Sequence, residues 1–81
     1  MRNCLITGTS SGIGYATSLR LARGGFHVHA AMRNLEKAGQ LKTVAESEGL
    51  PISFHTLDVT EQDSINRVVA DINSDHGKID C

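Results

Sequence analysis

The chain has no tryptophan, one proline, one tyrosine and two phenylalanines among its 81 residues. With Tyr15, Phe26 and Phe54 as its whole aromatic content, it lacks the stacking platforms on which single-stranded nucleic acids are held. An excess of charge is also missing. Eight basic against nine acidic side chains give a formal net charge of −1, too balanced to attract duplex nucleic acid or an anionic membrane surface. No apolar run nears the ~20 residues of a membrane span, and no signal-peptide core follows Met1. Cys4 and Cys81 stand at opposite ends without a CxxC pair. That pattern suggests neither a disulfide framework nor a zinc ribbon, and it fits a reducing, cytoplasmic setting. What remains, 40% apolar and 21% charged, is the composition of one small globular unit. A chain of this size buries only roughly 60 to 65% of its unfolded surface.

The period of the apolar residues changes along the chain and marks the elements. Cys4 to Thr7 is a short apolar run ended by Gly8, the pattern of a strand buried on both faces. From Gly12 the period becomes helical, with Ile13, Ala16, Thr17 and Leu21 on one face, and Gly24-Gly25 closes that helix. Phe26 to Met32 reads as a second strand. Asn34 then caps a second helix with Leu35, Ala38, Leu41 and Ala45 on its apolar stripe, broken at Gly49-Leu50-Pro51. Ile52 to Leu57 gives a third strand. Thr60 is placed to cap a third helix carrying Ile65, Val68, Val69 and Ile72, and Ile79-Asp80-Cys81 has the character of entry into a fourth strand. Alternating strands and helices without repeat or linker predict an α/β fold, the N-terminal half of a Rossmann-type doubly wound parallel sheet. The expected strand order is 3-2-1, with the far side of the first strand left open for a fourth. That open edge predicts an isolated chain that is partly molten or self-associates.

Between the first strand and first helix lies Thr7-Gly8-Thr9-Ser10-Ser11-Gly12-Ile13-Gly14. Gly8 permits a tight turn, Gly12 lets the backbone approach a phosphate, and Gly14 lets the helix pack close to the sheet. The free N–H groups and positive dipole end of the helix then face an anion. The spacing is GxxxGxG, which differs from the GxGxxG of the general dinucleotide fingerprint.

This loop resembles the TGxxxGIG motif of the short-chain dehydrogenase/reductase family. Leu57-Asp58-Val59-Thr60 resembles that family's acidic motif after the third strand, and Gly77-Lys78-Ile79-Asp80 the run into its fourth. The stretch from Ala30 to Lys37 is similar to the branch holding 17-beta-hydroxysteroid and retinol dehydrogenases. The resemblance covers the whole chain and implies that residues 1–81 are a single, incomplete NAD(P)-binding domain, an N-terminal fragment of a longer, homo-oligomeric oxidoreductase. It implies hydride exchange between a nicotinamide cofactor and a small carbonyl or alcohol substrate. Gly8, Thr9, Ser10, Ser11, Gly12, Ile13 and Gly14 would hold the pyrophosphate. Asp58 would accept from the adenine amino group, with the Val59 backbone beside it. Family members carry a carboxylate at the end of the second strand to bind the ribose hydroxyls. That position is Met32 here, and the guanidinium of Arg33 stands next to it. Loss of the acid and presence of a base that pairs with phosphate predict NADP(H) over NAD(H).

The family's asparagine motif, serine and tyrosine–lysine pair have no counterpart in these residues, so no catalytic residue is assigned and the chain alone is expected to be inactive. Tyr15 does not match, because residue 19 is leucine where a lysine would be needed. Cys4 reads as a small core residue. His27 and His29 share a strand face, but spacing fixes no third ligand, and they are read as a partly exposed strand surface with no metal. His55 and His76 are read as solvated or locally bonded. A second class of function keeps the same fold: a non-catalytic NAD(P)-binding or redox-sensing protein, with the glycine loop and Arg33 but without the catalytic groups.

Overall fold

The computed structural model describes residues 2–9 and 12–81. Three parallel strands, β1 (Asn3–Thr7), β2 (His27–Met32) and β3 (Ile52–Thr56), form one sheet in the order β1-β2-β3. Cys4 lies opposite Val28, and Val28 opposite Ile52. The helices are α1 (Gly12–Arg23), α2 (Gly39–Glu48) and α3 (Gln62–His76).

Successive residues of a strand face opposite sides of its sheet, and β2 uses this to serve two cores. Ala30 packs with Leu19 of α1 and Leu41 of α2, flanked by Tyr15, Val44, Ile52 and Phe54. Ala31 packs on the other face with Leu57 and with Val68 and Ile72 of α3, flanked by Leu5, Ile65 and Ile79. Burial on both faces explains why the second half of β2, Ala30-Ala31-Met32, is apolar without alternation.

Several local expectations are corrected. The stripe of α1 is not Ile13, Ala16, Thr17 and Leu21; its buried residues are Ser18, Leu19 and Ala22, with Tyr15 packed beside them. Gly14 sets this rotation by docking its bare Cα against the backbone of Gly8, so positions 14, 18 and 22 turn toward the sheet whatever their bulk. Ser18 can be buried because its hydroxyl donates to the Gly14 carbonyl at 2.8 Å. Asn34 does cap, accepting from Glu36 N–H at 3.0 Å, but it caps a 3₁₀ turn over Leu35–Ala38 that precedes α2. Leu35 is consequently turned outward, while Ala38, Leu41 and Ala45 are buried. The residue capping α3 is Glu61, not Thr60.

The far side of β1 is not empty. Asn3 bridges to Ile79 in parallel sense. Asp80 N–H donates to Asn3 O, and Leu5 N–H to Cys81 O, both at 2.7 Å. The run after α3 therefore covers the first half of β1 as the start of a fourth strand. This pairing brings Cys4 and Cys81 together as a disulfide with Cα atoms 4.6 Å apart, contrary to the reading of Cys4 as an unpaired core residue. Adjacent strands join these cysteines across 77 positions of sequence, a closeness no local spacing could show.

Candidate functional site

A parallel sheet gathers the ends of its strands, and the residues singled out from sequence collect at the carboxyl ends of β1, β2 and β3. Thr7 and Gly8 at the end of β1, Met32 and Arg33 at the end of β2, and Leu57, Asp58, Val59 and Thr60 after β3 line one cleft of about 180 Å³. Open α/β sheets bind ligands at this edge. A second surface hollow, of about 310 Å³, lies at the opposite end beside Arg2, Gly24, Gly25 and Phe26 and gathers none of these groups.

The backbone of the loop is shaped by its glycines. Gly8 and Gly12 have φ of +65° and +62°, where side chains are strained. Among the described residues nothing lies within 4 Å of the Cβ that either would carry, so the space beside them is open to an incoming group. Gly14 is the reverse case, packed so closely on Gly8 that no Cβ fits. The first turn of α1 carries no acidic side chain, and its positive dipole end is turned toward that space. Thr9 is fully buried, and its hydroxyl donates to Ala31 O at 3.2 Å. It pins the loop to β2, a role that the sequence reading missed and that follows only from the placement of β2. Ser10 and Ser11 lie outside the described residues.

Asp58 is half-buried and well ordered by its neighbours. Its Oδ1 accepts from Thr60 N–H at 3.0 Å and from the Thr60 hydroxyl at 2.6 Å, and its own N–H donates to Ser64 Oγ at 3.0 Å. The Thr60 hydroxyl, then the Thr60 N–H, hold the carboxyl below its ordinary range against the opposing effect of burial, and the nearby Arg33 adds a smaller lowering. Arg33 Nε lies 3.6 Å from Asp58 Oδ2. The Arg33 side chain is 81% exposed, so this pairing is weak and leaves the guanidinium free to turn.

Large apolar groups are exposed at the same edge. Among the described residues, Ile13 is 87% exposed, Val59 61% and Leu35 42%. One follows each strand, at the loop where the chain leaves the sheet. Apolar surface beside converging polar groups is the make-up of a small-molecule site.

The family model for short chain dehydrogenases matches residues 2–81. The chain belongs to the short-chain dehydrogenase/reductase family. Family members supply an oxidoreductase setting for this nucleotide-binding half-sheet. The chain is 43% identical over 79 residues to 3-oxoacyl-acyl-carrier-protein reductase of Thermotoga maritima, covering 95% of this chain and 31% of that protein. It is 42% identical over 76 residues to gluconate 5-dehydrogenase of Gluconobacter oxydans, covering 94% and 30%. A short-chain dehydrogenase/reductase structure from Burkholderia xenovorans superposes with a TM-score of 0.93 at 30% identity, covering 98% of this chain and 33% of that one. A metagenomic short-chain oxidoreductase in complex with NADP superposes with a TM-score of 0.91 at 26% identity, covering 98% and 36%. The chain thus spans about a third of the length of these two curated relatives. No helix among the described residues is long and apolar enough to cross a membrane.

Proposed function

We propose that residues 1–81 are the incomplete dinucleotide-binding domain of an NADP(H)-dependent oxidoreductase that interconverts a carbonyl compound and its alcohol. The observation carrying this reading is the meeting, at one strand edge, of the open glycine turn with an exposed Arg33 beside the uncharged Met32. A bound nicotinamide dinucleotide would supply the hydride that such a reaction transfers. The chain's own part is to bind and orient it. The Gly8–Gly14 loop and the N-terminus of α1 would take the pyrophosphate, with Thr9 holding the loop in place from inside and Ile13 covering it. Arg33 would form a charge-assisted pair with the 2′-phosphate, screening it from Asp58. Asp58 would accept from the adenine amino group through the oxygen not bound to Thr60, with the Val59 backbone alongside.

The protein carrying this domain is expected to add a serine and a tyrosine with a lysine four residues on. The tyrosine would act as general acid or base, its pKa lowered by the lysine. Its assembly would be homo-oligomeric, and the 81-residue chain by itself would show no turnover.

Titration of the chain with NADPH and with NADH tests the cofactor reading. Arg33→Ala is expected to weaken NADP(H) by ~1–3 kcal/mol, the range for hydrogen bonds to charged groups, and to leave NAD(H) nearly unchanged. Equal weakening of both would show that Arg33 does not read the 2′-phosphate.

A further inference from the structure

All four histidines of the chain gather at one place, on the α3 side of the sheet and at the end away from the candidate cofactor cleft. The parity that points Ala31 toward α3 also points His29 and His27 there. The stripe of α3 that buries Val68 and Ile72 reaches His76 one turn later. The His76 ring stands edge-on to His27 and His29, with ring centres 4.5 and 4.8 Å apart, and the His27 and His29 rings are stacked at 4.5 Å. One ring nitrogen from each of His27, His29 and His76 lies within 4.8 Å of the others.

We propose that His27, His29 and His76 form a binding site for a divalent transition-metal ion of the zinc class, tying the start of β2 to the end of α3. Three imidazoles without a carboxylate among them select zinc, cobalt, nickel or copper over magnesium and calcium. Around a tetrahedral zinc at its usual ~2.0–2.1 Å distance, ligand nitrogens stand about 3.4 Å apart. The three nitrogens need to close by little more than an ångström, within reach of rotation about the broad terminal torsion of histidine. A water would complete the coordination.

The surroundings suit this role. Asn3 Nδ2 donates to His76 O at 3.0 Å and Lys78 O at 3.1 Å, so its Oδ1 faces His29 and accepts from Nε2–H at 3.1 Å. The His29 Nδ1 lone pair is then turned toward His55 Nε2, 3.1 Å away. To coordinate, His29 exchanges one of these two hydrogen bonds for a metal bond. The proposal is independent of the cofactor reading, since it concerns the opposite end of the strands.

The test is titration of the tag-free, chelator-dialysed chain, under non-reducing conditions, with Co²⁺ followed by its visible ligand-field bands and then by displacement with Zn²⁺. One Co²⁺ per chain is expected, with the strong bands of a four-coordinate ion, no competition from Mg²⁺, and a melting midpoint raised by Zn²⁺. His76→Ala and His27→Gln should each weaken binding at least tenfold. His76 is exposed at a helix end, so its variant should keep the wild-type circular dichroism. Absence of saturable Co²⁺ binding to the folded chain, or wild-type affinity in both variants, overturns the site. So does a Zn²⁺ response in the imidazole nitrogen resonances that leaves His27, His29 and His76 unmoved.

Discussion

The Cβ that Gly14 lacks would overlap the carbonyl oxygen of Gly8 and stand 2.8 Å from its carbonyl carbon. Both atoms met are backbone, so neither can swing aside as a flexible side chain could. Helix propensity favours alanine over glycine here by up to ~1 kcal/mol, whereas overpacking typically costs about 1–3 kcal/mol. Overlap this severe puts the clash ahead. Gly14→Ala is therefore expected to lower the urea midpoint, and an unchanged or raised midpoint would show that α1 can retreat from the loop freely.

Gly12 should respond differently. Among the described residues its Cβ would meet nothing within 4 Å, and its φ of +62° is what resists substitution. Gly12→Ala should cost ~1–2 kcal/mol of stability, the strain of a left-handed residue. It should also weaken NADP(H) at least tenfold, because the new methyl occupies the space offered to the pyrophosphate. Calorimetric titration of a variant with retained circular dichroism measures this. Wild-type affinity there would remove the loop from the binding site.

Acid should loosen the chain through its buried histidine. His29 is fully buried, and burial first, then the charges of His27, His55 and His76, push its imidazole down to about 4. Unfolded, it would take a proton near the ordinary 6.5. Between those values the unfolded state binds more protons, so stability falls as pH falls. In metal-free buffer this contribution should be fully present above pH 7 and lost progressively from about 6.5 to about 4. His27 and His55, also lowered chiefly by burial, act in the same direction. Melting midpoints of wild type and His29→Gln across that window check it, the variant showing the shallower slope. Parallel curves would show that His29 does not titrate below its ordinary range.

Cys4 and Cys81 close a loop of 77 positions. In the chain-entropy model a closure of that length contributes up to ~4.5 kcal/mol. Alkylation of the unreduced chain should find no free thiol. Reduction, or Cys81→Ser, should lower the unfolding free energy extrapolated from urea melts by up to a similar amount. Full alkylation of both cysteines in the folded, unreduced chain would show that the bond is not made.

The strands, the helices and the glycine turn were legible in the sequence because each rests on a local rule. Apolar period 2 or continuous burial marks β1, β2 and β3, helical period marks α1, α2 and α3, and the three glycines fall at the strand–helix junction. The family resemblance was legible for the same reason, in short motifs on contiguous residues. Asp58 and Arg33 could be named from sequence, but their 3.6 Å approach required β2 and β3 to be neighbours.

What failed locally failed where a distant partner decided. The face of α1 was set by Gly14 meeting Gly8, a backbone contact stronger in consequence than the bulk of Ile13, which was left 87% exposed. Thr9 became a structural pin only because β2 offered it the Ala31 carbonyl. Cys4 met Cys81 because β1 pairs with the run after α3. Residues 27, 29, 55 and 76 look like scattered histidines in the sequence, since period 2 in a strand and period 3.6 in a helix share no common spacing. Only when the sheet lays α3 across β2 do the two periods point at one another, and four polar rings, from the buried His29 to the exposed His76, arrive in one corner.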